Sequence, residues 1–545
     1  MRRAAWPRPT PIEIGGLLGG LFLTLAYSWL LDDAYIYFKY VDNWVLLGRG
    51  LVYNPGEYAE GYTSPLWLLV LAAFRSVGFG YWFVVRAIGI LSFAAFWYGC
   101  VVVRRRLAPA TPILNLPLLL LAFNYAVLSY FTSGTESPLV ALEAVAYALF
   151  LLGSTSRIVA IAVGLSPLVR PELALALLLA IAWSTSRQRA LPRWTIVTAA
   201  TTSGAWLLFR VVYYADLFPT TFYLKMRIGW MQGFRYLHDT FAPYHFYLWL
   251  ALGILALVMA RRRGMEEPAA TGARLVLFAI AGAMALHVVN IGGDARHFRY
   301  LAFPVCLGVL AFGGLAGMAL GRVRPAVIPL LALLTALSVV TQWPRQATRH
   351  PLWSILLADS IAAREPVIVD GIADAEHHRR HPELPRLPPW GSGGVIEMRP
   401  LYDAWRQGGG ADPPKSGNAE YLCWYHYRHF DQWSVHGFGL TDVLLARSIG
   451  GARADDRPGH RMALLDRARE EVAILSRLGL PPHAGTHRAA VEAGFAPDWV
   501  RANLPAIELI ERKIYGPRDP WESLALATHV GERVDLDARV TSPAP

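Results

Sequence analysis

The sequence predicts an α-helical polytopic membrane protein of about eleven transmembrane helices, with a C-terminal extracytoplasmic domain of mixed α/β structure. Three observations predict it. Of the 545 residues, 54% are hydrophobic and only 17% charged, proportions that argue against a soluble multidomain chain. The apolar residues fall into runs of about 20, the length a helix needs to cross the hydrocarbon. The formal net charge of +11 is scattered as short arginine clusters between those runs, a membrane-topology pattern that argues against a nucleic-acid-binding face.

The clear spans are residues 12–31, 82–103, 112–131, 138–153, 195–213, 244–260, 274–291, 301–320 and 325–342. The first run lacks a small-residue cleavage site and reads as a retained anchor, with the N-terminus cytoplasmic. Residues 65–79 are apolar but short and carry Arg75, which predicts a helix lying at the interface. Residues 158–184 are too long for one helix, and Arg170-Pro171-Glu172 sits at their midpoint. Each charge left in hydrocarbon there costs about 2.5–3.5 kcal/mol, so two short helices with a turn at the outer surface are expected. This assignment puts Arg104–Arg106, Arg187, Arg189, Arg193, Arg261–Arg263, Arg322 and Arg324 on the cytoplasmic side. Counting 65–79 as a span would turn them all outward, against the positive-inside rule.

From about residue 343 the composition shifts to Pro, Gly, His and mixed charge, with no run long enough to span. The chain therefore divides into a transmembrane module, 1–342, whose first extracytoplasmic loop is 32–81, and a soluble domain, 343–545. Within the latter, Val367-Ile368-Val369 reads as a strand and 461–480 as a helix ending at Gly479. Cys100 and Cys306 lie in apolar runs and Cys423 has no evident partner, so no disulfide framework or thiolate zinc site follows. The histidine strings 375–381 and 425–430 have no closed ligand set and read as solvated surface. No metal and no cofactor is expected, since a divalent cation has no ligand cluster to support it.

The polar motifs sort to the outer loops: DDAYIYFKY from Asp32, EGYTSP from Glu60, TSGTESP, LVRPE, DLFPTTFYLKMR and GGDARHFRY. Carboxylates, arginines and aromatics drawn to one surface are how a helical bundle assembles a shared site. A vicinal carboxylate pair such as Asp32 and Asp33 can act as a general base with a tuning neighbour, because like charges push their pKa values apart. Boundary acids are also common, and only the aromatic surroundings favour the chemical reading. Arg170 could grip a phosphate as a planar fork, and Lys225, Arg296 and Arg299 are further phosphate candidates. Tyr35, Lys39, Glu60, Tyr62, Thr63, Glu136, Glu172, Asp294 and His297 complete the candidate substrate-binding set.

The stretch DDAYIYFKYVDNWVLLGRGLVYNPGEYAEGYTSPLW resembles the first-loop signature of the GT-C superfamily, specifically of AftB-like arabinofuranosyltransferases of actinobacterial cell-wall synthesis. SGTESPL, LVRPE, DLFPTTFYLK, GGDARHFRYLAFP and HGFGLTDVLLAR (436–447) extend the resemblance in the same order. It implies a site on the outer face of a bacterial plasma membrane, a polyprenyl-phosphate-linked sugar as donor, and an envelope glycan or lipid-linked acceptor. Asp32 or Asp33 would then be the base. The alternative reading is a catalytically silent scaffold that binds envelope polymers. A secondary transporter is disfavoured by the absence of repeated halves.

Overall fold

The computed structural model describes residues 9–26, 28, 30–107, 116–225, 229–242, 244–262, 268–294, 298–313, 327–340, 418–420, 423–428, 433–437, 439–450, 462–478, 485–516 and 518–539. The strand expected at Val367-Ile368-Val369, the histidine string 375–381, and Arg296 and His297 lie outside them. The chain divides into two compact units, each discontinuous in sequence. One holds Met1–Leu30, Val85–Ala199 and Trp230–Val395. The other holds Leu31–Val84, Ala200–Gly229 and Ile396–Pro545. The C-terminal segment thus folds into the same unit as the first loop.

Helices dominate. In order they are α1 (Pro11–Ala26), α2 (Ala34–Val41), α3 (Pro65–Ser76), α4 (Tyr81–Leu107), α5 (Leu116–Ala122), α6 (Tyr125–Tyr130), α7 (Ser137–Leu151), α8 (Arg157–Val169), α9 (Leu173–Gln188), α10 (Arg193–Tyr214), α11 (Thr220–Lys225), α12 (Trp230–Phe241), α13 (Phe246–Arg262), α14 (Pro268–Asn290) and α15 (Ala302–Gly313). A further helix covers Val327–Val340. Among the described residues, three helices are long and apolar enough to cross a membrane: Tyr81–Leu107, Arg193–Tyr214 and Thr271–Asn290. Other expected spans fold as shorter apolar helices, for reasons that two of them show. The expected 112–131 helix breaks after Ala122, where the Asn124 side chain accepts the N–H of Val127 at 3.1 Å and caps α6. Asparagine favours such caps over helix interiors, so Asn124→Ala should cost about 0.5–2 kcal/mol in thermal unfolding. Residues 158–184 break at Arg170-Pro171-Glu172, as expected.

In the first unit, α14 packs on α12 and α15, α15 on α7, and α7 on α8. Small residues set the closest approaches. A Cβ on Gly233 of α12 would meet the Val289 carbonyl of α14 at 1.9 Å. On α1, Cβ atoms at Gly16 and Gly20 would strike Trp97 and Phe93 of α4 at 2.2 and 2.1 Å. Arg104 and Arg105, ending α4, close on Glu13 at 3.2 and 2.6 Å.

In the second unit, α2 is buried along its whole length, and α3 is N-capped by Ser64. At 12 residues, α3 is about 18 Å long, too short to cross about 30 Å of hydrocarbon. Arg75 is paired with Asp42 at 2.9 Å and lies over the Tyr81 ring. The C-terminal segment contributes short helices at Cys423–Arg428, Val443–Ala446, Met462–Leu478, Thr486–Glu492, Asp498–Ala502, Leu504–Tyr515 and Pro520–Ala527. Strands β1 (Asn418–Glu420) and β2 (Ser434–His436) pair in parallel, as do β3 (Ser448–Ile449) and β4 (Val534–Asp535). The helix expected at 461–480 is present.

Candidate functional site

After α1 ends, the chain turns into α2 through Asp32 and Asp33, whose carbonyls accept the N–H groups of Tyr35 and Ile36 at 3.1 and 3.2 Å. The Cys423 backbone N–H donates to Asp32 Oδ2 at 3.0 Å. Cys423 opens the helix Cys423–Arg428, which is fastened to the first loop at two more points. His426 Nδ1 pairs with the Tyr53 hydroxyl at 2.8 Å, and the Tyr427 hydroxyl donates to Asp42 Oδ2 at 2.6 Å. Asp42, fully buried, also accepts from Tyr81 at 2.8 Å. Cys423 Sγ lies 3.2 Å from His436 Nε2, so Cys423 has a partner that spacing in the sequence did not suggest. His426 is buried, contrary to the solvated surface expected of its string. Folding also brings the ligand atoms of Asp32, Asp33 and Cys423 within 4.8 Å of one another, a donor set of two hard oxygens and one softer sulfur.

Tyr35 and Tyr62, placed in the candidate substrate-binding set, are core residues in the structure. Tyr35 and Tyr62 are 3% and 1% exposed. Tyr35 packs against Phe38 and Tyr427, and Tyr62 sits edge-on to Tyr40 with its hydroxyl 2.9 Å from that of Tyr214. Lys39, fully buried, donates to Ser434 Oγ at 3.0 Å and lies over the Tyr53 ring. Glu60 is held by Arg210 and by Trp206 Nε1 at 3.3 Å. Burial pushes the Glu60 carboxyl above its ordinary range while Arg210 opposes the rise. Thr63 is half-buried, as is Lys225 at the end of α11.

Five other candidates meet in the first unit. Glu136, 1% exposed, accepts from Arg170 at 2.9 Å and from Arg299 at 3.4 Å. Arg170 also holds Glu172 at 2.5 Å, and Arg299 lies 3.9 Å from Asp294. Tyr300 stacks beneath both guanidinium groups. Two arginines are thus shared among three carboxylates, so a phosphate entering here would exchange for a carboxylate instead of filling a bare cationic pocket.

Sequence reasoning missed a cluster in the second unit. Arg447, fully buried, pairs with Asp216 at 2.5 Å and lies 3.8 Å from the centre of the Tyr223 ring. Lys513 stands 3.7 Å from Asp216, its amine brought down to about 8 by burial. Tyr58, Glu60, Tyr214, Asp216, Thr220 and Lys513 line a cavity beside this cluster. Asp216 opens DLFPTTFYLK and Arg447 closes HGFGLTDVLLAR, so the motifs were visible and only their pairing was not.

The chain is 28% identical over 358 residues to a terminal beta-(1->2)-arabinofuranosyltransferase of Corynebacterium glutamicum, covering 54% of this chain and 49% of that protein. It is 30% identical over 329 residues to a protein of the same name from Mycobacterium tuberculosis, covering 51% of each. No protein-family profile matches, and no solved structure matches. The chain spans about half the length of the curated relatives it matches. The resemblance read from the first-loop motif is borne out: this is a chain of apolar helices similar to terminal arabinofuranosyltransferases.

Proposed function

We propose that the protein is an inverting membrane glycosyltransferase that moves a sugar, arabinofuranose by likeness to its relatives, from a polyprenyl-phosphate donor to a cell-envelope glycan on the extracytoplasmic face. The observation that carries this reading is the Asp32-Asp33 turn, with Asp32 held by the Cys423 amide, in a chain similar to two proteins named for arabinofuranosyl transfer. The acceptor hydroxyl attacks the anomeric carbon and gives its proton to one aspartate. A new C–O bond forms as the bond from the anomeric carbon to the phosphate oxygen breaks, and polyprenyl phosphate leaves. Cationic groups would stabilise the departing phosphate, an electrostatic contribution that usually dominates. The cavity lined by Glu60, Asp216 and Lys513 offers groups that suit acceptor hydroxyls. Membranes containing the protein should transfer labelled sugar from a polyprenyl-phosphate arabinofuranose to an arabinan oligosaccharide, with inversion visible by NMR. No transfer from any polyprenyl-phosphate sugar tested, with the protein inserted, would leave the scaffold reading in its place.

A further inference from the structure

The group that folding assembles at the Asp32-Asp33 turn carries a donor that the proposed reaction does not use. A proton acceptor needs only a carboxylate, yet a sulfur stands beside this pair. The ligand atoms of Asp32, Asp33 and Cys423 lie within 4.8 Å of one another. Several bonds fix the place of that sulfur. The Cys423 amide donates to Asp32 Oδ2 at 3.0 Å, and within the next turn His426 and Tyr427 fasten the same helix to Tyr53 and Asp42 at 2.8 and 2.6 Å. The sulfur meets His436 Nε2 at 3.2 Å, and His436 belongs to β2, which pairs in parallel with β1. Cys423 and His436 are buried, whereas Asp33 is half-buried.

We propose that Asp32, Asp33 and Cys423 bind one thiophilic divalent cation, Zn2+ by its chemistry, and that the bound ion shuts off transfer. Zn2+ takes sulfur at about 2.3 Å and carboxylate oxygen at about 2.0–2.2 Å in a tetrahedron, which sets neighbouring ligand atoms about 3.4–3.6 Å apart. From separations within 4.8 Å, rotation of the side chains closes the remaining gap. Three protein ligands leave the fourth position to water, as in open zinc sites. Mg2+ and Ca2+ fit poorly, because they take six or more oxygens and a thiolate selects softer metals. The amide of Cys423 occupies one oxygen of Asp32, and the other can ligate. On binding, the S–H bond is exchanged for S–Zn and the proton leaves to water. The effect on transfer rests on the catalytic reading of the pair: an ion held by both carboxylates removes the acceptor of the hydroxyl proton, and a chelator restores it.

The full-length protein, purified in detergent and stripped of metal with EDTA, is to be equilibrated with radioactive Zn2+ at neutral pH in millimolar Mg2+ and Ca2+, and transfer measured in the same preparation. One Zn2+ per chain is expected, with transfer lost on binding and recovered with EDTA. Cys423→Ser keeps the backbone amide that Asp32 accepts and should weaken Zn2+ binding at least tenfold, as should Asp33→Asn. With Co2+ in place of Zn2+, wild type should show a sulfur-to-cobalt charge-transfer band that Cys423→Ser, which retains Cys100 and Cys306, lacks. Should Cys423→Ser not fold, Asp33→Asn, which alters no sulfur, decides by the same tenfold test. Wild type that retains no Zn2+ at micromolar concentration, or variants that bind as tightly as wild type, would overturn the site. Zn2+ bound through Cys423 with transfer unaffected would overturn the inhibition and the catalytic assignment of the aspartates together and leave the metal site standing, so the two failures are told apart.

Discussion

Asp33→Asn and Asp32→Asn should each lower sugar transfer by roughly 10²–10⁴-fold, equivalent to about 3–5 kcal/mol in the barrier. Asparagine keeps the shape of the side chain and, at position 32, an oxygen for the Cys423 amide, so the variants should insert and melt like wild type. The two losses need not be equal. A carboxylate already accepting a backbone N–H is well placed to orient its neighbour, and the larger loss identifies the base. The assay is initial rate of transfer in membranes at matched protein level, and full activity in both variants would sink the catalytic assignment of the pair.

Arg447→Met should destabilise the second unit by about 3–5 kcal/mol, the usual cost of leaving one member of a buried ion pair without its partner. Arg447 is wholly buried, pairs with Asp216, reaches the Val530 carbonyl at 3.3 Å and covers the Tyr223 ring. Methionine fills much of the volume, so the loss reports the stranded charge more than a cavity. Lys513 remains near Asp216 but at 3.7 Å, too far for a hydrogen bond. Adding Asp216→Asn should recover part of the loss, because the buried charge is removed with its partner. Thermal unfolding of both single variants and of the double variant measures this, and a double-variant loss equal to the sum of the two single losses would show that the pair is not coupled.

Most helix positions were legible because apolar periodicity and run length are local, but the break that the Asn124 cap makes inside 112–131 was not. Arg170-Pro171-Glu172 announced two helices, and Arg75 announced that α3 would not cross the hydrocarbon. The site was legible as motifs and not as an arrangement. Asp32 and Asp33 stood out as a pair, yet nothing local indicates that the amide of Cys423, 391 positions away, would hold one of them. Tyr35 and Tyr62 illustrate a related point: an aromatic looks alike in sequence whether it faces a sugar or packs against Tyr427 or Tyr40. Glu136, Arg170 and Arg299 were each picked out singly, and their mutual neutralisation appears only once three distant turns meet.

The unit that carries the Asp32-Asp33 turn is assembled from the first loop, a middle segment and the end of the chain, and this sets a timetable for its birth. Lys39 meets Ser434 across 395 positions of sequence. At ordinary rates of synthesis, about 5–20 residues per second, that interval lasts roughly 20–80 s. During it the first loop can meet Arg210 and Tyr214 of the middle segment, while the partners of Asp32 and Lys39 at Cys423 and Ser434 are still unmade. Emergence of the segment around Cys423 and Ser434, more than insertion of the early helices, is the event that lets this unit close.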